Sequence, residues 1–380
     1  MRAVIDATGV LKGKTRRALD STLLDDAVAT QDTVTQLIAA IRRVRREVPS
    51  AAKVEVHAHD YDQGAKPVIA WDDPVAKEQL VSALVNDALA LIGATEGADL
   101  AAEQQDAVGL LALVAGQDVE PGETEGTWRI AEGVAPDRVI STVDPEARHM
   151  HKSRSEYRDG YKAHLAVEPE TGIITAASLT PANAADGATG TALLATEEPG
   201  LEVLADSAYG SGEVRAALAD GKHRALIKPI PLRPAVPGGF TLDDFRIDVG
   251  AGVVTCPQGF TAPITRRRKA DFRSRCRTCP VRERCTRSKK GRQIQIHQHH
   301  HLLMAARRQA KTEEFQTIYR QHRPMVERSI AWVVARGHRR VRYRGVARNQ
   351  LGLSLRVAAI NLRRLINLGL DHQGGWVLAT

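Results

Sequence analysis

Three carboxylates in this 380-residue sequence have types and positions suited to chemistry on phosphate. Asp20 and Asp206 each follow a short apolar run that predicts a strand, and Glu327 lies in a stretch with helical character. Carboxylates carried on strands can converge at a sheet edge, and hard oxygen ligands are what Mg²⁺ prefers. Two such ions can clamp the attacking and leaving oxygens of a phosphodiester. With 45 acidic residues, many other trios are open, and a surface or capping role is the alternative for each residue.

The 4 cysteines, Cys256, Cys276, Cys279 and Cys285, lie in one short segment. A disulfide framework is uncommon in a cytosolic chain of this size, whereas clustered thiols are typical of a metal site. Four thiolates suit tetrahedral Zn²⁺, and Cys256 opens a Cys-Pro-Gln-Gly turn. Because only one Cys-x2-Cys pair is present, unligated reduced cysteines are the alternative to a structural zinc ion.

Basic residues are concentrated in two stripes, within a chain whose net charge is +8 and whose pI is about 9.4. The first runs from Arg266 to Arg292 and the second from Arg328 to Arg348, whereas most charges over residues 72–137 are acidic. Such stripes are typical of a surface that follows the backbone of nucleic acid, and a merely solvated face is the alternative. The stripe residues we predict to contact DNA are Arg266, Arg267, Arg268, Lys269, Arg339 and Arg340.

Membrane and secretory classes are disfavoured by the sequence. It contains no run of eighteen apolar residues, and its first residues do not resemble a signal peptide. The hydrophobic fraction of 43% is enough for a core, but the aromatic fraction of 4% requires aliphatic side chains and alanine to build it. We therefore expect a cytoplasmic protein with no membrane partner.

The elements that must position these side chains are both strands and helices. Strands are predicted over residues 16–24, 160–167, 173–179, 201–205 and 224–228, with Asp20 near the end of the first. Helices are predicted over residues 34–47, 72–91, 98–114, 186–196, 213–219, 302–336 and 351–368, with a kink or break at Pro324. This order predicts an α/β fold of ribonuclease-H-like type, a mixed sheet flanked by helices.

Composition shifts along the chain predict how this fold is divided. We expect a first strand region of the core and two insertions, one helical and acidic, the other basic and Cys-bearing. The predicted bounds are 1–30 for the first strand region, 31–140 for the helical insert, 141–235 for core strands and helices, 236–300 for the basic insert and 301–370 for the C-terminal core helices.

Six different short motifs follow one another along the chain. They are Arg17-Ala-Leu-Asp20-Ser-Thr, Gly160-Tyr-Lys-Ala-His164, Thr180-Pro-Ala-Asn183-Ala-Ala-Asp186, Leu204-Ala-Asp206-Ser-Ala-Tyr-Gly, Val326-Glu327-Arg328 and Arg342-Tyr-Arg-Gly-Val-Ala-Arg348. Over residues 5–368 the sequence resembles the DDE transposases of bacterial insertion sequences, in the subgroup with a cysteine cluster before the catalytic Glu. The resemblance implies that two Mg²⁺ or Mn²⁺ ions are held by Asp20, Asp206 and Glu327. Asp6 is a rival for the first position.

The same resemblance implies cleavage at element ends and strand transfer into target DNA, by a homodimer assembled on DNA. Arg323 and Arg328 would hold the scissile backbone. Tyr319, Arg323 and Glu327 resemble the Tyr–Arg–Glu signature of such enzymes. The Tyr-to-Arg spacing is one residue longer than the common form, and Val334 stands where a lysine is usual, with Arg336 as a candidate substitute.

The start of the sequence lies close to the first motif. This position predicts an N-terminally shortened copy that lacks the upstream domain for recognising element ends, and such a copy can be inactive. Two alternatives are therefore kept: a non-catalytic, DNA-binding remnant of a transposase, and a ribonuclease-H-like nuclease that cuts DNA without joining it.

Overall fold

The structure is a computed structural model that describes residues 2–64, 66–151, 157–371 and 377–378. Its helices are α1 Arg2–Thr8, α2 Thr33–Glu47, α3 Pro74–Gly93, α4 Ala102–Gln117, α5 Asp186–Ala192, α6 Gly212–Asp220, α7 Arg282–Cys285, α8 His300–Gln309, α9 Glu313–His322, α10 Pro324–Val334 and α11 Val346–Asn367. Among the described residues, none of these helices combines the length and apolarity needed to cross a bilayer.

The strands are mostly short outside one central sheet. They are β1 Arg16–Asp25, β2 Val119–Pro121, β3 Trp128–Ile130, β4 Arg148–His151, β5 Tyr157–Val167, β6 Ile174–Pro181, β7 Glu202–Ala205, β8 Arg224–Ile227, β9 Arg246–Asp248, β10 Val253–Thr255, β11 Thr261–Pro263, β12 Lys269–Asp271, β13 Gln293–Gln295, β14 Leu370–Asp371 and β15 Val377–Leu378.

The central sheet is mixed, with β1 between an antiparallel and a parallel neighbour. β1 pairs antiparallel with β5 and parallel with β7, and β7 pairs parallel with β8. β5 also pairs antiparallel with β6 over most of its length and with β4 at its start. The predicted mixed α/β fold, a mixed sheet flanked by helices, is confirmed.

Alternation along the strands divides the core between the two faces of this sheet. On one face the strands pack against α9, α10 and α11 through Ala18, Ala163, Leu165, Leu204, Leu226, Phe315, Val326, Val333 and Leu353. On the other face they pack against α6 through Leu19, Ala166, Val203, Ala205, Ile227, Val214 and Leu218. Consecutive residues of β1 therefore serve opposite faces.

Residues 31–140, the helical segment, lie between β1 and β4 in the sequence and have a hydrophobic core of their own. Helices α2, α3 and α4 bury residues such as Leu37, Leu84 and Leu111 against one another. Asp32 caps α2 by accepting from the Thr35 amide at 2.7 Å, and Asp73 caps α3 ahead of a proline. The segment is closed at its base, because the Gln31 amide donates to the Ile140 carbonyl at 2.8 Å.

Residues 240–296, the cysteine unit, have a separate hydrophobic core that is built from much shorter elements. Strands β9, β10 and β11 make one small sheet, and β12 and β13 make a two-stranded ribbon. Phe245 and Phe272 are buried here with two of the cysteines, and their rings lie 6.0 Å apart. The unit has little apolar area to bury because each of its strands is only three residues long.

Several sequence-based bounds differ from the structure. The helix predicted over residues 302–336 is three helices: the predicted break falls at Pro324, and a second, unpredicted one precedes Thr312, whose hydroxyl caps α9. Asp20 was expected near the end of its strand, and this is wrong. It lies in the middle of β1, because pairing with β5 continues as far as Asp25 opposite Gly160. Helix α1 was not predicted.

Candidate functional site

Asp20 is held on the face of the sheet that α10 covers. Its carboxylate is 15% exposed, and Oδ2 lies 2.8 Å from Nη2 of Arg323. Oδ1 accepts a hydrogen bond from the Ser21 amide at 2.8 Å. Burial raises the pKa of Asp20, the Arg323 guanidinium acts in the opposite direction, and the charge of Asp206 raises the pKa further.

Asp206 follows the last residue of β7 and faces the same side of the sheet as Leu204, two residues before it. It caps the short 3-10 helix Ser207–Tyr209, because Oδ1 accepts from the Ala208 amide at 2.8 Å. Its charge acts on Asp20 and, after burial, also raises the pKa of the half-buried Tyr319. β7 runs parallel to β1, so the two carboxylates lie on neighbouring strands.

Glu327 reaches the same place from α10. It lies one helical turn after Arg323, and its Oε1 is 3.6 Å from Nη1 of that arginine. The Glu327 side chain is 65% exposed, whereas that of Arg323 is 6% exposed. The structure thus brings Asp20, Asp206 and Glu327 together around one buried guanidinium. We call these three acids with Arg323 the carboxylate site.

The Arg323 guanidinium is the positive charge that lies against these acids. Burial lowers its pKa, but the charge and hydrogen bond of Asp20 outweigh that effect, so the pKa of Arg323 is raised. Among the described residues, Nε and Nη1 of Arg323 are buried with no hydrogen-bond partner. In the same part of the chain, no three His, Cys, Asp or Glu side chains are gathered closely enough to hold a metal ion as they stand. The oxygen donors suit Mg²⁺, but the guanidinium must move before they can share one.

The opposite face of the sheet carries a buried polar network that the sequence analysis missed. Ser21 donates from Oγ to Asp186 at 2.6 Å, and Nζ of Lys162 lies 3.4 Å from the same carboxylate. Nε2 of His164 lies 2.9 Å from the Thr180 hydroxyl, and burial lowers the pKa of His164 to about 4. The alternating polar residues of β5 were the available signal, since they recur at the period of a single sheet face.

Tyr209 lies between this network and the carboxylate site. Its ring is buried, and burial together with the charges of Asp186 and Asp20 raises the pKa of its hydroxyl. Gly190 of α5 packs directly on the ring, since a Cβ added there would lie 2.5 Å from Cε1 of Tyr209. This close approach of α5 fixes Asp186 beside β1.

The predicted DNA-contacting arginines and lysine differ in exposure and in partners. The arginines exposed to solvent are Arg266, Arg267, Arg328 and Arg340. Three arginines donate to backbone carbonyls and tie elements together: Arg268 to Ile296 and His297, Arg339 to Leu23, and the exposed Arg340 to Asp26. Lys269 is half-buried at the start of β12, and Arg323 is buried at the carboxylate site.

Three further positions were considered in the sequence: Asp6 as a rival first acid, and Tyr319 and Arg336 as parts of the family signature. Asp6 is exposed on α1, a helix whose Ile5 packs with Ile173 and Leu365, and it is not on a strand. Tyr319 stacks on Phe315 with ring centroids 5.4 Å apart, and its pKa is raised by burial and lowered by Arg323. Arg336 is exposed just beyond α10, close enough to Arg356 to lower the pKa of that residue.

All four cysteines line one hollow of the cysteine unit. Cys276 and Cys285 are buried, and Cys256 and Cys279 are half-buried. Burial raises the pKa of Cys285, Arg292 lowers it, and the other three thiols raise it, which is consistent with four thiols lying near one another. The amide of Arg292 donates to Sγ of Cys276 at 3.4 Å.

Residues 255–366 match a protein family described as a transposase DDE domain. The matched segment includes the four cysteines, Arg323 and Glu327, whereas Asp20 and Asp206 precede it. No curated protein and no solved structure matches the chain. The match supports a DDE transposase function, which belongs to a nuclease and transferase class of enzymes that act on DNA.

Proposed function

We propose that the chain is a DDE transposase of a bacterial insertion sequence, in which Asp20, Asp206 and Glu327 are the catalytic acids. The observation that carries the proposal is the contact of Arg323 with Asp20 and its closeness to Glu327, with the charge of Asp206 acting on both Asp20 and Arg323. Asp20 and Glu327, from distant parts of the sequence, thereby lie at one guanidinium, and the charge of Asp206 reaches the same group. The family match around Glu327 supports the same conclusion independently.

The strand arrangement supports a ribonuclease-H-like fold. β6, β5 and β1 are antiparallel in that order, and β7 and β8 continue the sheet parallel to β1. The first acid is on the central strand and the second directly follows its parallel neighbour. The proposed division of the chain keeps residues 31–140 and 236–300 as insertions into this core, with core regions over residues 1–30, 141–235 and 301–370.

Asp20, Asp206 and Glu327 would hold two Mg²⁺ or Mn²⁺ ions, which stabilise the charge that develops on the attacking and leaving phosphate oxygens. Without these ions, the Arg323 guanidinium neutralises the Asp20 carboxylate, and it would have to leave that carboxylate for the ions to bind. Once released, its guanidinium is in reach of a DNA phosphate beside the acids, for which its planar donor pair is well suited. The exposed Arg328, next to Glu327, would bind the backbone on the solvent side.

DNA is the proposed partner, both as element ends and as target. The exposed Arg266 and Arg267 of the cysteine unit and Arg328 of α10 are the ones expected to neutralise phosphates. Joining two ends in concert requires two active sites, which favours a homodimer on DNA. We infer a cytoplasmic, nucleoid-associated protein from this partner.

The proposal is tested by nicking and strand transfer on a supercoiled plasmid carrying the DNA that flanks this gene on both sides, with Mg²⁺ or Mn²⁺. Asp206→Asn should lower nicking at least about a hundredfold while DNA binding is unchanged, because the lost group acts on the transition state. Asp220→Asn, an exposed carboxylate at the end of α6, is the matched control and should retain full activity.

Each other outcome contradicts the proposal in a defined way. Equal nicking by the wild type and Asp206→Asn would remove Asp206 from the catalytic acids. A wild type that binds the plasmid but never nicks it supports the alternative of a non-catalytic DNA-binding remnant. Nicking without any strand-transfer product indicates a nuclease that cuts and does not join.

A further inference from the structure

We propose that Cys256, Cys276, Cys279 and Cys285 form a structural Zn²⁺ site that holds the cysteine unit together. The inference goes beyond the proposed catalytic function and does not depend on it, since it concerns the folding of residues 240–296 and uses none of the catalytic acids.

The first ligand position is built by a tight turn at the end of β10. In Cys256-Pro-Gln-Gly, the Gly259 amide donates to the Cys256 carbonyl at 2.9 Å, and the Cys256 amide donates to the Phe260 carbonyl at 2.8 Å. Gly259 has φ +79°, a conformation that glycine adopts without the strain a side chain would add. The turn fixes the direction in which the Cys256 thiol leaves the small sheet.

The second ligand position is built around Cys276, which lines the same hollow. The Arg292 amide donates to its sulfur at 3.4 Å, and a backbone N–H pointing at sulfur stabilises the thiolate form. The neighbouring Gly291 has φ +92°, and a Cβ added there would lie 3.0 Å from Cβ of Cys276. Gly291 thus lets the β13 end of the ribbon approach Cys276 closely enough for this hydrogen bond.

The remaining two ligand positions follow within a few residues. The Cys279 carbonyl accepts from the Arg282 amide at 3.2 Å, which starts the turn into α7, and Cys285 is the last residue of that helix. All four side chains line the same hollow, with Phe245 and Phe272 behind them. Among the described residues no three of these thiols are gathered closely enough to hold an ion as they stand, so the side chains must turn toward the hollow to give the tetrahedral four-sulfur coordination that Zn²⁺ takes.

The composition of the cysteine unit explains why it needs such a site. Its strands are three residues long, and the stretch from Arg266 to Arg292 holds many basic residues but only Asp271 and Glu283 as acids. A small core with strong self-repulsion gives little folding free energy. Four thiolates on Zn²⁺ are together negatively charged, so they reduce the repulsion among the basic residues of the unit. The free energy of zinc binding also adds to the free energy of folding.

Zinc is favoured over the other occupants of a four-cysteine site by the chemistry around it. An iron–sulfur cluster also uses four thiolates, but it is larger than a single ion, and the hollow that these cysteines line is small. Two disulfides would require an oxidising compartment, and all four cysteines are free in the structure. Both occupants give distinct signals in the experiment below.

The test measures the metal content of the full-length chain, purified in reducing buffer without a chelator. The wild type should carry about one zinc ion per chain by inductively coupled plasma mass spectrometry, and Cys276→Ser/Cys279→Ser should carry less than about a tenth of that. His297→Ala/His299→Ala, which removes two other side chains able to ligate zinc, is the control and should keep its zinc. Replacement by Co²⁺ should give the visible bands of tetrahedral thiolate coordination.

The cobalt spectrum of the wild type keeps the test decisive if the cysteine variant fails to fold. A folded, metal-free wild type with four titratable thiols would overturn the proposal. So would bound iron with visible absorption, or two disulfides found by mass spectrometry after alkylation without reduction. Loss of zinc in the histidine variant would overturn the four-cysteine ligand set. None of these outcomes bears on nicking, so the two proposals fail separately.

Discussion

The carboxylate site and the cysteine unit gather reactive side chains by different physical means. Asp20, Asp206 and Glu327 are spread over most of the chain, and the pairing of β1 with its neighbours and the packing of α10 set their positions. The four cysteines are close in sequence, and turns on three-residue strands set theirs. The first arrangement belongs to a large core that persists without its ligands. The second has little core, which is why we propose that a bound ion contributes to its folding.

Chelation should separate the two regions most strongly. Removing zinc with a strong chelator should speed amide exchange in residues 240–296 by about a hundredfold or more, because their opening is opposed mainly by the metal. Exchange in β1, β5 and β7 should change by less than about threefold. Hydrogen exchange with mass spectrometry resolves the two regions in one sample. A uniform change over both would show that they unfold as one unit, and no change would remove the metal from the folding of residues 240–296.

Within the carboxylate site, Arg323→Met tests whether the guanidinium replaces a metal charge. Without divalent ions the variant should lose about 3 kcal/mol of unfolding free energy, because the buried Asp20 carboxylate loses its partner. Its affinity for Mn²⁺, measured by electron paramagnetic resonance at pH 8, should rise instead. Arg328→Met, an exposed neighbour, should change neither quantity much. Unchanged or weaker Mn²⁺ binding by Arg323→Met would mean that the arginine supports the ions rather than competing with them.

The buried network behind β1 should give the sheet a pH response, the smallest of the expected effects. His164 has its pKa lowered to about 4 by burial, from 6.5 in the unfolded chain. Between these values the unfolded chain binds the proton and the folded chain does not, so stability falls as the pH falls through this window. The contribution is roughly 2–3 kcal/mol in total.

Denaturation measured from pH 7 to pH 4 should therefore show a weaker pH dependence in His164→Gln than in the wild type. His301→Gln, an exposed histidine on α8, should follow the wild-type curve. An identical slope in His164→Gln would mean that His164 titrates normally in the folded protein. The loss of stability at low pH would then come from other groups. The contrast between a pH-sensitive sheet and a metal-sensitive cysteine unit would not hold.

Local signals in the sequence predicted the strands of the central sheet except β4, and most of the helices. Runs of β-forming residues marked β5 and β6, and a short apolar run marked β7; in the structure Asp32 and Asp73 cap α2 and α3. The extent of β1 was misjudged because strand length depends on pairing with β5, which is a long-range property. The break before α9 was missed because Thr312, its cap, lies within an otherwise helical pattern.

The candidate site was predictable only in part. The three acids were selected with the help of a family resemblance, because spacing does not distinguish them among 45 acidic residues. The position of Arg323 between two of them follows from the packing of α10 on β1 and has no local signal. Lys162 and His164 alternate like residues of a solvent-facing strand, so their burial against Asp186 was not foreseen.

The hydrogen bond between Gln31 and Ile140 has a consequence for how the length of such proteins can vary. The chain enters and leaves the helical segment at adjacent points, so a short linker could bridge the gap with little change in loop-closure entropy. Additions or deletions at this junction would leave the register of β1 against β5 intact. We therefore expect natural size differences among proteins that share this sheet to occur at this junction. A whole helical bundle can be exchanged there without moving the carboxylates.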